Sequence, residues 1–568
     1  MTIIKTSSNE QAGLRMSQIP QVPQEFVFPV LSLPPRRESA WVVETTPEET
    51  RKWLSELPLA DAAQTARLLY QALFTLNRLR LDAADRLAIM ELYRQPTAVV
   101  TAALQTPFVH FGLPLRPRQK QLADFLMQLQ MEMAYGYKHV IAAGQQARKP
   151  WEGESFRRAA ERSIRYLGEA LLRAYLVYMP VPTGVWREIH GLYRYAEQHA
   201  CEQLALADGD GSIASSYLQV LMLGLCGPYQ LPQNECQQVN AFLARWTRRV
   251  RISPHIENID PVGHFLLDLD ADHPAVPFPH DVPLRDAAGL RAVNALELAR
   301  TAYDFMTRLR KGEPPRALDL GFECVGNACV DTLKRMLRFW GMAGRRHFSR
   351  HHTRKPLSLC LGVNAIHFFV DGQRPFTPPD RAAVIPEREA VVPDGAMLEA
   401  EARSESTGSS ASSEMFRVDS RWQVHNESAG GLSLARRGDV GLHMRVGDVL
   451  GIHNPEANHW RIGVVRWVKS PDTQRVEVGV EMLAPSAHPL AVRPLGANPS
   501  SYSQALLLPP IEALHQPASI IVQSGAYRAG QELEIAEAEL PARRVCVLNV
   551  VERTASFSQI VFADIAHH

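Results

Sequence analysis

Three arginines lie together in one short segment of the chain. Arg345, Arg346 and Arg350 stand in the sequence RRHFSR, where Arg346 and Arg350 form an R-x-x-x-R pattern. The planar guanidinium group binds a phosphate or the O6/N7 edge of guanine through two parallel hydrogen bonds, and its flat face stacks on a base. The cluster therefore predicts a binding site for a nucleotide-like anion.

A second pattern, N-x-S-x-x-G, covers residues 426–431. Apolar Trp422 and Val424 precede it and Leu432 follows it, so it is predicted to be a turn between two strands. Asn and Ser offer short side-chain donors and acceptors to backbone or ligand, at positions 426 and 428. Gly430 or Gly431 would supply a positive φ that other residues resist.

Together the two patterns resemble the PilZ domain family of bacteria, over about 346–370 and 415–490. The resemblance implies a small antiparallel β-barrel that binds cyclic di-GMP. It implies that Arg346 and Arg350 contact guanine and phosphate, that Asn426 and Ser428 bond a guanine edge, and that Gly431 holds the turn. In this family the residue before R-x-x-x-R influences whether one ligand or an intercalated pair is bound, and Arg345 is similar to that residue in the pair binders.

The chain departs from the family because residues 351–425 separate the two patterns. Residues 372–414 include the tract SESTGSSASSE, which is too poor in apolar residues to offset its ordering entropy and is predicted to be a disordered insertion. Such an insertion adds little to the entropy of closing the barrel.

A competing R-x-x-x-R pattern consists of Arg417 and Arg421, close to the turn. It leaves room for the second strand of a barrel before Asn426 but not for a first strand as well. The upstream cluster is therefore preferred, and Arg417 and Arg421 are kept as candidate flanking contacts.

Hydrophobic periodicity predicts a multidomain α+β protein with an N-terminal helical region followed by the β-barrel. A helix is predicted over Leu290–Leu309 and a strand over Leu357–Val370. The expected organisation is a flexible N-terminus (1–40), an all-α domain (41–255), a mixed connecting region (256–344), a PilZ-like barrel with its insertion (345–495) and a C-terminal β-rich extension (496–568).

Composition is that of a globular protein, with 46% hydrophobic and 21% charged residues. A formal net charge of +1 provides no global field for DNA, RNA or an anionic membrane. Seven cysteines without a C-x-x-C pair argue against a disulfide framework and a zinc ribbon, and favour a reducing compartment. The N-terminus has no apolar signal segment, so a cytoplasmic location without membrane insertion is expected.

Motifs for enzymatic chemistry are not found. The sequence has no phosphate-binding loop of nucleotide hydrolases and no dinucleotide-binding fingerprint. Nearby arginines would repel a metal from His347, His351 and His352. We therefore expect a receptor without enzymatic activity, metal or cofactor, which signals from the barrel to a helical region that binds a protein partner.

Two alternatives remain at this stage. One is an interaction scaffold whose degenerate barrel binds no ligand, and the other, with less support, is an enzyme in the helical region. The pathway, the ligand stoichiometry and the oligomeric state, including a homo-oligomer, stay open.

Overall fold

A computed structural model provides the fold of the chain. It describes the following residues: 28–36, 42–105, 113–146, 153–209, 211–279, 287–341, 351–379, 416–438, 441–454, 459–471, 474–495, 502–512, 515–525, 527–537 and 540–565.

Eight helices, identified within the described residues, make up the N-terminal region. They are α1 (Pro47–Ser55), α2 (Ala62–Leu76), α3 (Ala83–Gln105), α4 (Pro117–Gln146), α5 (Glu154–Leu176), α6 (Val185–Gln198), α7 (Ile213–Leu225) and α8 (Gln233–Trp246). Thr46 begins α1 by accepting a hydrogen bond from the Glu49 N–H, as its position in the sequence favours. Apolar residues at helical spacing meet in one large core.

Residues 28–36 pack on this helical core, although their composition predicts mobility. The Ser32 N–H donates to the Glu188 carboxylate on α6 at 3.0 Å, and the ring of Phe28 contacts Tyr195 edge-on at 5.3 Å. The prediction of a flexible segment is wrong for residues 28–36, because their apolar side chains pack on the helices. Composition alone does not reveal such packing. Residues 1–27 and 37–41 lie outside the described part.

A small sheet and two helices connect the helical region to the first barrel. They are β1 (Arg251–Ser253), β2 (His264–Asp268), β3 (Val276–Pro277), β4 (Leu290–Asn294), α9 (Leu296–Arg310) and α10 (Asn327–Trp340). The predicted helix Leu290–Leu309 is wrong at its start, because residues 290–294 pair with both β2 and β1. Cys324 and Cys329 form a disulfide, which the cysteine spacing did not predict.

The first barrel contains seven strands and one helix. These are β5 (His351–His352), β6 (Pro356–Leu361), α11 (Val363–Val370), β7 (Asp419–Ser428), β8 (Gly431–Arg437), β9 (Val449–His453), β10 (Trp460–Lys469) and β11 (Arg475–Ala484). Pairing in the order β6-β9-β10-β11-β8-β7 and back to β6 closes the ring, and β5 extends β6 along β7. The predicted strand Leu357–Val370 is wrong in its second half, because the chain turns at Gly362 (φ 88°) into α11.

The C-terminal residues form a barrel of their own. Its strands are β12 (His488–Pro494), β13 (Ser503–Leu508), β14 (Ser519–Gln523), β15 (Glu532–Ala536), β16 (Arg543–Arg553) and β17 (Phe557–Asp564). They close in the order β12-β13-β14-β17-β16-β15. The multidomain α+β prediction is confirmed, and the tail is a second closed barrel rather than an addition to the first.

The helical region completes the core of the first barrel. Leu126 of α4 and Tyr178 after α5 belong to the same buried cluster as Leu434 and Val478 of the barrel. Leu113 and Met444 exchange two backbone hydrogen bonds of 3.0 and 3.1 Å. Part of the barrel is therefore held in place by the helices.

Candidate functional site

The N-x-S-x-x-G segment forms a tight hairpin at one end of the first barrel. β7 ends at Ser428, β8 begins at Gly431, and only two residues connect them. The Ser428 hydroxyl donates to the Gly431 carbonyl oxygen at 3.2 Å, which fixes the turn. The predicted turn between two strands is present.

Gly431 is required by close packing rather than by its φ angle. Its φ lies outside the positive range, but a Cβ on this residue would lie 2.3 Å from the Val480 carbonyl oxygen on β11. The predicted need for a positive φ is thus wrong at position 431. β8 approaches β11 so closely at this point that only glycine fits.

Asn426 faces the outside of the barrel next to a bulge. Its strand partners are Ser433 on β8 and His352 on β5, and the register shifts between Val424 and Asn426. Leu432 and Leu434, on either side of Ser433, point into the core, so Ser433 and Asn426 point outward. The Asn426 side chain is half-exposed and makes no hydrogen bond to another described residue.

Arg345, Arg346 and Arg350 lie outside the described residues. The strand that directly follows them is described, and it lies beside the turn: His351 pairs with Glu427, and His352 pairs with Asn426. The strands before and after the 380–415 segment are thus direct neighbours in the sheet. The separation of the two patterns in sequence does not separate β5 from the turn in space.

The competing arginines lie toward the other end of β7. Arg421 is exposed, and its Nε lies 3.1 Å from Asp419 Oδ1. Asp419 also holds the buried Arg436 at 2.9 Å. Arg421 lies five positions before Asn426 along β7, which corresponds to about 17 Å of extended strand. The exposed Arg417 precedes β7, and neither side chain is brought to the turn.

An ion pair that sequence analysis did not identify spans the end of the barrel. Glu427, between Asn426 and Ser428, lies 3.5 Å from Arg461 at the start of β10. Because side chains alternate along a strand, Glu427 points to the opposite side from Asn426 and Ser428. The ion pair links the turn to β10 on the opposite side of the barrel. No motif marks it, and only the closed ring brings these two residues together.

Two histidines border the outward face at the turn. The rings of His352 and His425 lie edge to face at 5.6 Å, and both side chains are exposed. Within the described ranges, no group of three or more His, Cys, Asp or Glu side chains is arranged to hold a metal. In the same ranges, every helix is too short or too polar to cross a membrane.

A closed six-stranded ring with an N-x-S-x-x-G turn beside the strand that follows R-x-x-x-R defines a PilZ-type barrel. The model of a middle PilZ domain matches residues 264–383 and 386–489. The middle part of the chain therefore contains a PilZ domain.

That matching model describes the middle domain of the cyclic-di-GMP receptor FimW. The N-terminal domain model of FimW matches residues 48–255, and its C-terminal β-barrel model matches residues 490–565. A relative from Pseudomonas aeruginosa, named cyclic-di-GMP receptor FimW, is 28% identical over 570 residues, which cover 93% of this chain and 92% of the relative. Similarity thus extends over all three parts of the chain.

Proposed function

We propose that this protein is a receptor for cyclic di-GMP. The ligand would lie between the hairpin turn at 426–431 and the arginine segment containing Arg345, Arg346 and Arg350. The observation that supports the proposal is the pairing of His351 with Glu427 and of His352 with Asn426, because it puts β5, the strand that directly follows the arginine segment in the chain, beside the turn. The description of the relative as a cyclic-di-GMP receptor supports it.

The chemistry of the two halves is complementary to this ligand. Two phosphates and two guanines offer anionic oxygens and O6/N7 edges, which suit the guanidinium forks of Arg346 and Arg350. The carboxamide of Asn426, which makes no hydrogen bond to any described residue, and the Ser428 hydroxyl add short donors and acceptors. Because the net charge of the chain is only +1, the electrostatic attraction for an anionic ligand must come from charged side chains at the site itself.

The upstream arginines fit this role better than Arg417 and Arg421. Arg421 is already paired with Asp419, and it lies about 17 Å along β7 from Asn426. Arg345, the residue before this pattern, would influence whether the site binds one ligand or an intercalated pair.

Helix α10 is the route by which ligand binding would reach the helical region. It ends at Trp340, shortly before the arginine segment, and Trp340 is buried against Phe242 of α8 with ring centroids 5.9 Å apart. Arg335 of α10 also pairs with Glu235 of α8. A change in the arginine segment would therefore act on packed helices, where a protein partner would bind. In this proposal the protein is a cytoplasmic receptor that signals without catalysis and without a metal or cofactor.

Calorimetric titration of the intact protein with cyclic di-GMP tests the proposal, with GMP as the control ligand. We expect binding of cyclic di-GMP, and weakening by about fivefold or more in Asn426→Ala, because a guanine-edge contact is lost. Gln423→Ala is the matched control, since this exposed side chain lies on the same strand away from the turn. Absence of binding by the wild-type chain would favour a scaffold with a degenerate barrel.

A further inference from the structure

The disulfide between Cys324 and Cys329 closes a short loop at the start of α10. It joins a residue before the helix to the third residue of the helix, and their Cα atoms lie 5.4 Å apart. Residues 325–328, between the two cysteines, are all exposed, and Val325 is 87% exposed. The loop is therefore held by the disulfide rather than by burial of its own side chains.

Other restraints on the first turn of α10 are weak. The N-terminal cap is Gly326, which has no side chain to accept a hydrogen bond from the N–H groups of this turn. The backbone hydrogen bond from the Ala328 N–H to the Val325 carbonyl oxygen is long, at 3.3 Å. Later in the helix, Leu333 and Met336 are fully buried in the helical core. Loss of the disulfide would therefore let the first turn fray while the rest of α10 stays packed.

The two cysteines differ in their access to a reductant. Cys329 is fully buried, whereas Cys324 is partly exposed. A thiolate of an external dithiol would therefore attack Cys324 Sγ and form a mixed disulfide, and Cys329 Sγ would leave as a thiolate and take up a proton. The second thiol of the reductant then releases Cys324 as a thiol. Two electrons and two protons pass to the chain, and the reductant becomes a disulfide.

The remaining cysteines favour a compartment in which this exchange takes place. All seven cysteines lie in the described part of the chain, and the other five are thiols, four of them buried. In a reducing compartment disulfides are rare, and those that form there are usually transient and catalytic or redox-sensing. The cytoplasmic location belongs to the proposed function, so this step rests on that function.

We propose that Cys324 and Cys329 form a reversible redox switch that sets the order of the first turn of α10. The oxidised pair fixes this turn, and reduction by a protein dithiol releases it. Gly326 also lines a cleft of about 570 Å³ between the start of α10 and the second barrel, opposite Tyr527 and Val551. Release of the loop would therefore change this interface between the helices and the second barrel as well.

Counting the thiols of the full-length protein tests whether the switch is reversible. Protein equilibrated with oxidised glutathione should show five thiols once it is denatured. Native protein treated with dithiothreitol, as the test dithiol, and then freed of it should show all seven. A disulfide that dithiothreitol reduces only after denaturant is added would be structural and would overturn the proposal. Seven thiols in the glutathione-treated protein would also overturn it.

Hydrogen exchange on the same two samples tests the effect on α10. Amides of residues 327–331 should exchange at least about tenfold faster in the reduced protein, because the loop is no longer closed. Cys324→Ser should match the reduced form. Cys546→Ser is the control, because it removes a partly exposed thiol of the second barrel and leaves the disulfide intact.

Equal exchange in the two redox forms of wild type would overturn the switch, and this comparison does not depend on the folding of any variant. Neither measurement uses cyclic di-GMP. Failure of the switch therefore leaves the receptor function standing, and failure of wild type to bind cyclic di-GMP would overturn the receptor function alone.

Discussion

At the scale of single residues, the side-chain types of Asn426, Ser428 and Gly431 were sufficient to predict a turn between two strands, which the structure contains. They did not explain why position 431 is a glycine. The reason lies on another strand, because the Val480 carbonyl oxygen leaves no room for a Cβ.

Gly431→Ala should destabilise the protein by about 1–3 kcal/mol, because the new methyl group must push β8 away from β11. Chemical denaturation measures this loss, and cyclic di-GMP affinity should fall as the turn moves. Gly153→Ala is the control: its φ is −69° and nothing lies within 4 Å of a Cβ there. Equal stability of Gly431→Ala and wild type would show that β8 can shift at no cost.

At the scale of elements, pairing with distant strands determined the secondary structure where the local sequence pattern was ambiguous. Residues 290–294 and 357–361 are short apolar runs, and such runs do not distinguish a strand from a buried helix. Their sheet partners on β2, β7 and β9 decide the outcome. Just before β9, Asp448 accepts the Arg445 N–H at 2.7 Å in a tight turn.

Burial raises the pKa of Asp448 from 3.8 to about 6, against the lowering effect of the Arg445 N–H. The folded protein thus holds this proton more tightly than the unfolded chain. As pH rises from about 4 to 6, the unfolded carboxyl ionises first, and the folded state loses stability.

Asp448→Asn should remove this loss, since the amide oxygen can still accept the Arg445 N–H. Between about pH 4 and 6, the free energy of unfolding of the variant should increase relative to that of wild type. Above about pH 6, the difference between the two should stay constant. Asp304→Asn is the control, because it makes the same change of side chain at an exposed position of α9. A difference between Asp448→Asn and wild type that does not depend on pH would contradict this account.

At the scale of the whole molecule, the helices, the first barrel and the second barrel are joined by shared packing. Leu126 of α4 belongs to the barrel cluster, and Arg466 of β10 pairs with Glu552 of the second barrel. Sequence reasoning identified the helical and β regions, but it did not show that helices complete the barrel core. Contacts between residues so far apart in the chain leave no local pattern.

Leu126→Ala should therefore loosen the first barrel as well as the helices. Leu126 is fully buried, and its truncation should cost about 2–5 kcal/mol. Hydrogen exchange should accelerate in β7 and β8. Leu129→Ala on the same helix is the control, because Leu129 is equally buried but belongs to the helical core. If exchange in β7 and β8 is unaffected by Leu126→Ala, the helices do not support the barrel.

In the proposed receptor, the ligand site joins the turn at Asn426 to the arginines that lie upstream of the 380–415 segment. Calorimetry with cyclic di-GMP on two double variants tests it directly. Arg346→Ala with Arg350→Ala should weaken binding at least about a hundredfold, since two bidentate contacts are lost. Arg417→Ala with Arg421→Ala should bind within about threefold of wild type, because Arg421 is paired with Asp419 far from the turn. The reverse result, with binding lost only in the second double variant, would contradict the account.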